Sequence, residues 1–247
     1  MVDKDKYTVS YLYLRRIVGI LGIALPIVLI IGSMLFGGCT WFQDSISDYH
    51  NTNMRNVFVG LLSAISLFLF AYSGYDKLDF WMAKAVGVLG FMVAVFPDGL
   101  DDNECTIFPN QIIPPWMEYV HLFSAAIFFL ILAYFSIFLF TKSEKDNDET
   151  TKEKGVASLA VNSVKIFFKK RKVVEDIKPE KARRNKIYRR CGYTMLICLA
   201  LILVIFAFDD FAKKIEIICP VLILETVALW AFGISWLIKG QFLIKDK

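Results

Sequence analysis

The chain has 247 residues, 56% of them hydrophobic, with 22 Phe and a formal net charge of +4. Several separate runs of about 20 apolar residues, each long enough to cross a bilayer as a helix, are more than one soluble core of this size would hide, so a soluble globular domain is excluded. Barrel strands alternate polar and apolar residues and these runs do not, so a transmembrane barrel is excluded too.

The expected fold is an all-α membrane protein, a six-helix transmembrane bundle with both termini cytoplasmic. The spans are read at residues 17–36, 57–75, 80–97, 119–140, 188–208 and 217–238. All but three of the 28 basic residues fall on one set of alternate segments: the N-terminus, the 73–84 turn, the 141–190 loop and the C-terminus. The exceptions are Arg55, Lys213 and Lys214. Positive residues stay on the cytoplasmic side, and an even number of spans returns the chain to it. The localisation implied is an integral, multi-pass protein of the bacterial inner (plasma) membrane. Residues 1–140 are expected to hold spans one to four with an N-terminal segment, 141–187 a basic cytoplasmic loop, and 188–247 spans five and six with a tail.

In chain order, Met1–Arg16 reads as a short surface helix, with Arg15 and Arg16 snorkelling to the inner interface. The apolar run after it is long for a signal peptide and no A-x-A site follows, so span one is read as a retained anchor. Small residues in the first three spans (Gly19, Gly22 and Gly32; Gly60, Ser63 and Ser66; Gly87 and Gly90) let helices approach closely in lipid. Between spans one and two lies the polar stretch GGCTWFQDSISDYHNTNMRNVFVG, from Gly37 to Gly60. Span three ends at Phe96-Pro97-Asp98-Gly99. The following DGLDDNECTIFPNQIIPPWME has no Lys or Arg, and its prolines and Trp116 suggest a cap at headgroup depth. Residues 141–154 are mixed in charge and poor in apolar residues, the signature of a flexible segment. Residues 156–177 form a basic amphipathic pattern that favours anionic lipid headgroups. Membrane lipids are therefore the expected partner, and a nucleic-acid partner is not expected. Cys39 and Cys105 both fall in outer connections, where they form a disulfide or remain two thiols.

The scarce polar residues converge on this topology. Asp48, His50 and Arg55 precede span two, Asp98 ends span three and His121 begins span four. Glu225 lies about 12 Å into span six, taking eight residues at 1.5 Å each. An ionisable residue inside a span faces a partner or a water-filled cavity, and Arg55 or a histidine is the natural partner for Glu225. Three chemistries fit the group. His50, Asp98 and His121 could ligate a metal, zinc being the candidate, with a position open for water. Ser45 or Ser47 could be a nucleophile with a histidine base and an acid orienting it, although no G-x-S-x-G elbow is present. Or His50, Tyr49, Arg55 and His121 could hold a headgroup without reaction.

The stretches SISDYHNTNMRNVFVG, FPDG, HLFSAAIFF and ETVALWAFGISWLIKG together resemble bacterial six-span membrane proteins of unknown function, similar in outline to Frag/DRAM/Sfk-type proteins. The likeness covers most of the chain outside 141–186. It implies that Ser47, Asp48, Arg55, Asp98, His121 and Glu225 are the residues to watch. More distantly, the chain is comparable with the membrane hydrolases that include alkaline ceramidases and adiponectin-receptor-like proteins. Those use a serine, an aspartate and three histidines around zinc. This chain departs from them in having six expected spans and only His50 and His121.

The functional expectation is an outward-facing polar pocket that binds a lipid or small amphiphile, with hydrolysis of that ligand left open. Ser47, Asp48, His50, Asp98, His121 and Glu225 are its candidate catalytic residues. The alternative is an oligomeric channel, a homo-oligomeric effector or a partner subunit regulated through the basic loop.

Overall fold

The structure, a computed structural model, describes residues 4–37, 39, 41–73, 77–99, 113–142, 179–208 and 218–244. These hold six α-helices and no strand: α1 (Lys4–Phe36), α2 (Arg55–Ala71), α3 (Lys77–Val95), α4 (Pro115–Tyr134), α5 (Pro179–Ala207) and α6 (Pro220–Lys239). Prolines open α4 and α6, where a missing N–H costs no helical bond and the fixed φ suits the first turn. A π-helical turn, Phe135–Leu139, extends α4.

Each helix packs on its chain neighbours, and α6 closes the ring by packing on α1. Neighbours run antiparallel. Gly19 of α1 meets Gly233 of α6 while Arg16 meets Gly240. Gly87 of α3 meets Phe70 of α2, Phe128 of α4 meets Gly90, and Gly192 of α5 meets Ala133. The outward side chains are apolar (Leu35, Leu67, Phe123, Ile197, Leu203), whereas Ser66, Ser136 and Ser235 are buried. That is the reverse of a soluble protein, where polar groups face out. Five helices are long and apolar enough to cross a membrane. The exception is α2, with 17 residues, shorter than the 57–75 span expected for it.

Two further boundaries differ from expectation. The N-terminal segment and span one form one continuous helix of 33 residues, because no glycine or proline interrupts residues 4–18. At the other break, α5 begins at Pro179, so residues 179–187, assigned to the basic loop, are its first turns. Residues 143–178, which carry the expected lipid-binding pattern, lie outside the described residues.

At the end of the bundle where α1 begins and α6 ends, basic side chains sit on helix C-terminal carbonyls. Arg16 Nε donates to Gly240 O at 2.8 Å and Arg15 reaches Lys239 O at 3.5 Å, so both arginines bridge α1 to α6 instead of only snorkelling. Lys84 donates to Phe70 O at the end of α2, and Lys239 Nζ reaches Phe140 O at 3.4 Å. Cations at helix C-termini answer both the exposed carbonyls and the macrodipole. Asp79, fully buried in the first turn of α3, binds Lys142 Nζ at 2.8 Å. Replacing Lys142 by Met removes that ion pair to a buried acid and is expected to cost about 3 kcal/mol, read as a lower unfolding midpoint in detergent.

The core divides into two layers. Toward the termini, Trp236 meets Tyr72 and Phe140 edge-on, each at 5.3 Å. Toward the other end, Leu25, Leu29, Phe58, Leu62, Val93 and Leu229 enclose Ile46 and Tyr49 from the polar stretch. Between α1 and α6 there is no room for a side chain at Gly233. A Cβ there would lie 2.7 Å from the Gly19 carbonyl and 2.5 Å from Ile23 Cγ1. Gly233→Ala is expected to destabilise by about 1–3 kcal/mol through overpacking, measurable by thermal unfolding.

Candidate functional site

The polar stretch between α1 and α2 folds over the end of the bundle where α1 ends and α6 begins. Its centre is a 3-10 turn, Ser47–Asn51, all five residues buried. The turn starts with a capping box: Ser45 N donates to Asp48 Oδ2 at 2.8 Å, and Asp48 N donates to Ser45 Oγ at 3.1 Å. Such reciprocal bonds satisfy two orphan amides at once. Asp48 and Ser45, both weighed for catalysis, are therefore engaged with backbone.

Four bonds fasten the turn to three elements. Leu222 N in α6 donates to Asp44 O at 2.8 Å. Ile46 N donates to Glu225 Oε2 at 2.6 Å. Asn51 Nδ2 donates to Gly99 O at 2.9 Å. Gly99 has φ of +78°, a conformation open to glycine with no Cβ penalty. The fourth bond joins Ser47 Oγ to His121 Nε2 at 3.0 Å.

His121, in the second turn of α4, bonds on both ring nitrogens. Its Nδ1 lies 2.7 Å from Phe96 O. A carbonyl oxygen only accepts, so Nδ1 carries the proton. In the neutral ring Nε2 is then a lone pair facing the Ser47 hydroxyl. Ser47 and His121 are both buried, at 6% and 2% exposure. Serine, imidazole base and an acceptor that sets the tautomer are the three parts of an activated-nucleophile arrangement. The third part here is a backbone carbonyl, which no side-chain pattern in the sequence could reveal.

The other expected site residues gather around this pair. Asp48 and Asp98 lie within electrostatic reach of Glu225. Glu225 and Arg55 form no ion pair, in contrast to the pairing expected from sequence, because the carboxylate takes the Ile46 amide. Arg55 opens α2 and lies near His50, as does His121. His50 is buried edge-on against Phe58 at 6.0 Å and makes no hydrogen bond to the described residues. Burial first, then the charge of Arg55 and the neighbouring His121 ring, lower its pKa from 6.5 to about 4, so its imidazole is neutral at pH 7. Tyr49 is fully buried, and its hydroxyl faces Ser33 and the Gln43 backbone without a well-formed hydrogen bond. Burial raises its pKa.

Among the described residues no three His, Cys, Asp or Glu side chains are arranged to hold a metal ion. The set His50, Asp98 and His121 does not form such a group, since both nitrogens of His121 are already bonded. Cys39 is disulfide-bonded; Cys105, its expected partner, lies outside the described residues. Cys191 and Cys198 are free, buried thiols.

Compared with protein-family models, the curated proteins and the solved structures, the chain matches none.

Proposed function

We propose that this end of the bundle binds a membrane lipid or small amphiphile and that Ser47, with His121 as its base, cleaves an ester bond in it. The observation that carries the reading is the Ser47–His121–Phe96 chain, with contacts of 3.0 and 2.7 Å. In the proposed reaction Ser47 Oγ attacks the ester carbonyl carbon and its proton passes to His121 Nε2. That proton then goes to the departing alcohol as the C–O bond breaks. Water, deprotonated by the same nitrogen, releases the acid from Ser47. Phe96 O keeps the proton on Nδ1 throughout, and neutral His50 beside His121 adds no positive charge to oppose proton uptake.

The test is covalent capture. A fluorophosphonate probe reacts with an activated serine by forming an O–P bond and expelling fluoride. Labelling of the full-length protein in lipid vesicles, mapped to Ser47 and lost in Ser47→Ala, supports the reading. No labelling of a folded wild-type chain rejects it. The burial of Ser47 and His121 favours a second reading, in which the same bonds only fasten the 3-10 turn. Under that reading Ser47→Ala lowers stability and the wild-type chain does not label.

The membrane arrangement belongs to the same proposal. α2 is the sixth span: its 17 residues extend about 26 Å, at the lower limit for a crossing helix, and it is flanked by α1 and α3. Both termini then share one side, which the basic residues make the cytoplasmic face of a bacterial inner membrane. A reporter active only in the cytoplasm, fused after Lys247, should be active. An inactive fusion reverses the orientation.

A further inference from the structure

Two consecutive amides ahead of Ser47 are each held by a carboxylate. Ser45 N is bound by Asp48, three residues away in the same turn. Ile46 N is bound by Glu225, which comes from α6 and lies 179 residues away. The Asp48 bond is local and would form in any chain with this turn. The Glu225 bond fixes the turn relative to another helix. A carboxylate inside a span is costly and persists where the surrounding structure uses it. Here the carboxylate oxygen bonds the Ile46 amide, and the residue one peptide further on is Ser47. His121 is held separately, from α4 and by Phe96 O. The serine and its base thus arrive from different elements, and the 3.0 Å contact between them depends on the turn being held in place.

We infer that Glu225 is a positioning residue: by accepting the Ile46 N–H it sets the Ser47 hydroxyl against His121 Nε2, and it does not itself touch the reacting atoms. This rests on the reading of Ser47 and His121 as the reacting pair. What Glu225 supplies is an acceptor oxygen, so glutamine, which keeps one, should replace it and alanine should not. The donor can be removed independently. Ile46 has φ of −66°, the value proline imposes while deleting the N–H.

The experiment measures the fluorophosphonate labelling rate of the full-length protein at saturating probe, together with the thermal midpoint and the nitrogen NMR signal of His121 Nε2. Glu225→Ala and Ile46→Pro should each lower the saturating rate at least about tenfold, since small misplacements of a nucleophile can cost up to about a hundredfold. The double variant should fall no further than Ile46→Pro alone, because the Glu225 bond is already absent there. Glu225→Gln should stay within about threefold of wild type. A role confined to stability would lower the midpoint and leave the saturating rate unchanged. Wild-type labelling rates in Glu225→Ala, or a loss in Glu225→Gln as deep as in Glu225→Ala, overturn the inference. If Glu225→Ala does not fold, Glu225→Gln and Ile46→Pro carry the same comparison. If the wild-type chain does not label, the nucleophile reading fails by itself. The geometric part of the inference, that Glu225 sets the Ser47–His121 contact, then stands if the Nε2 signal moves in Ile46→Pro and not in Glu225→Gln, and it falls if the signal is the same in all chains.

Discussion

His121→Ala should slow covalent labelling of Ser47 by about 10²–10⁴-fold, the usual contribution of a positioned general base. The size follows from the geometry. With the ring present, Nε2 is an unprotonated acceptor 3.0 Å from Ser47 Oγ, and the tautomer is fixed by Phe96 O on the opposite nitrogen. Without it, Ser47 retains an ordinary hydroxyl with no positioned base to take its proton. His121→Gln separates base from spacer. It fills much of the same volume and offers hydrogen bonds, but it cannot take up a proton, so it should label as slowly as His121→Ala while unfolding nearer the wild-type midpoint. Fast labelling in His121→Gln would remove His121 from the chemistry.

His50 should make the protein acid-sensitive in a defined window. Its pKa is near 6.5 unfolded and about 4 folded, so between those values the unfolded chain binds the extra proton. Stability rises with pH wherever the unfolded state holds more protons. The contribution of neutral His50 is therefore fully present above pH 6.5 and is lost progressively as pH falls toward 4. The total is about 3 kcal/mol, because a folded pKa one pH unit below the unfolded one is worth about 1.4 kcal/mol. Urea midpoints in detergent from pH 7 to pH 4 should fall along this course. His50→Gln, which cannot charge, should remove that part of the slope. A slope unchanged by His50→Gln would mean the ring is not held in the apolar setting beside Phe58.

The helical class and the gathering of polar residues can be read from the chain, because apolar length and charge asymmetry are properties of local sequence. The pairing of those residues cannot. Sequence alone points Glu225 at a cation, since unpaired charge in a span is expensive, yet its partner is the Ile46 amide. Backbone donors are present at every residue and leave no mark in composition. The same holds for Phe96 O behind His121. The Ser45–Asp48 capping box does have a signal, a serine three residues before an acid. Nothing in the sequence singles out Asp79, because an acid near a helix start reads as surface. Its ion-pair partner, Lys142, lies 63 residues away. The reach of α1 through the N-terminal segment and of α5 back to Pro179 shows how charged turns can extend an apolar helix without a break in its hydrogen bonds.

The proposed chemistry and the fastening of the turn meet at the His121 ring, so its tautomer and bonding are the most direct test of both. With only two histidines in the chain, nitrogen NMR of the protein in lipid, using His50→Gln for assignment, reads each ring atom separately. The predicted result is a protonated Nδ1, an unprotonated Nε2, and an Nε2 resonance that shifts when Ser47 becomes Ala. A proton on Nε2 at neutral pH, with a signal indifferent to Ser47, would contradict it.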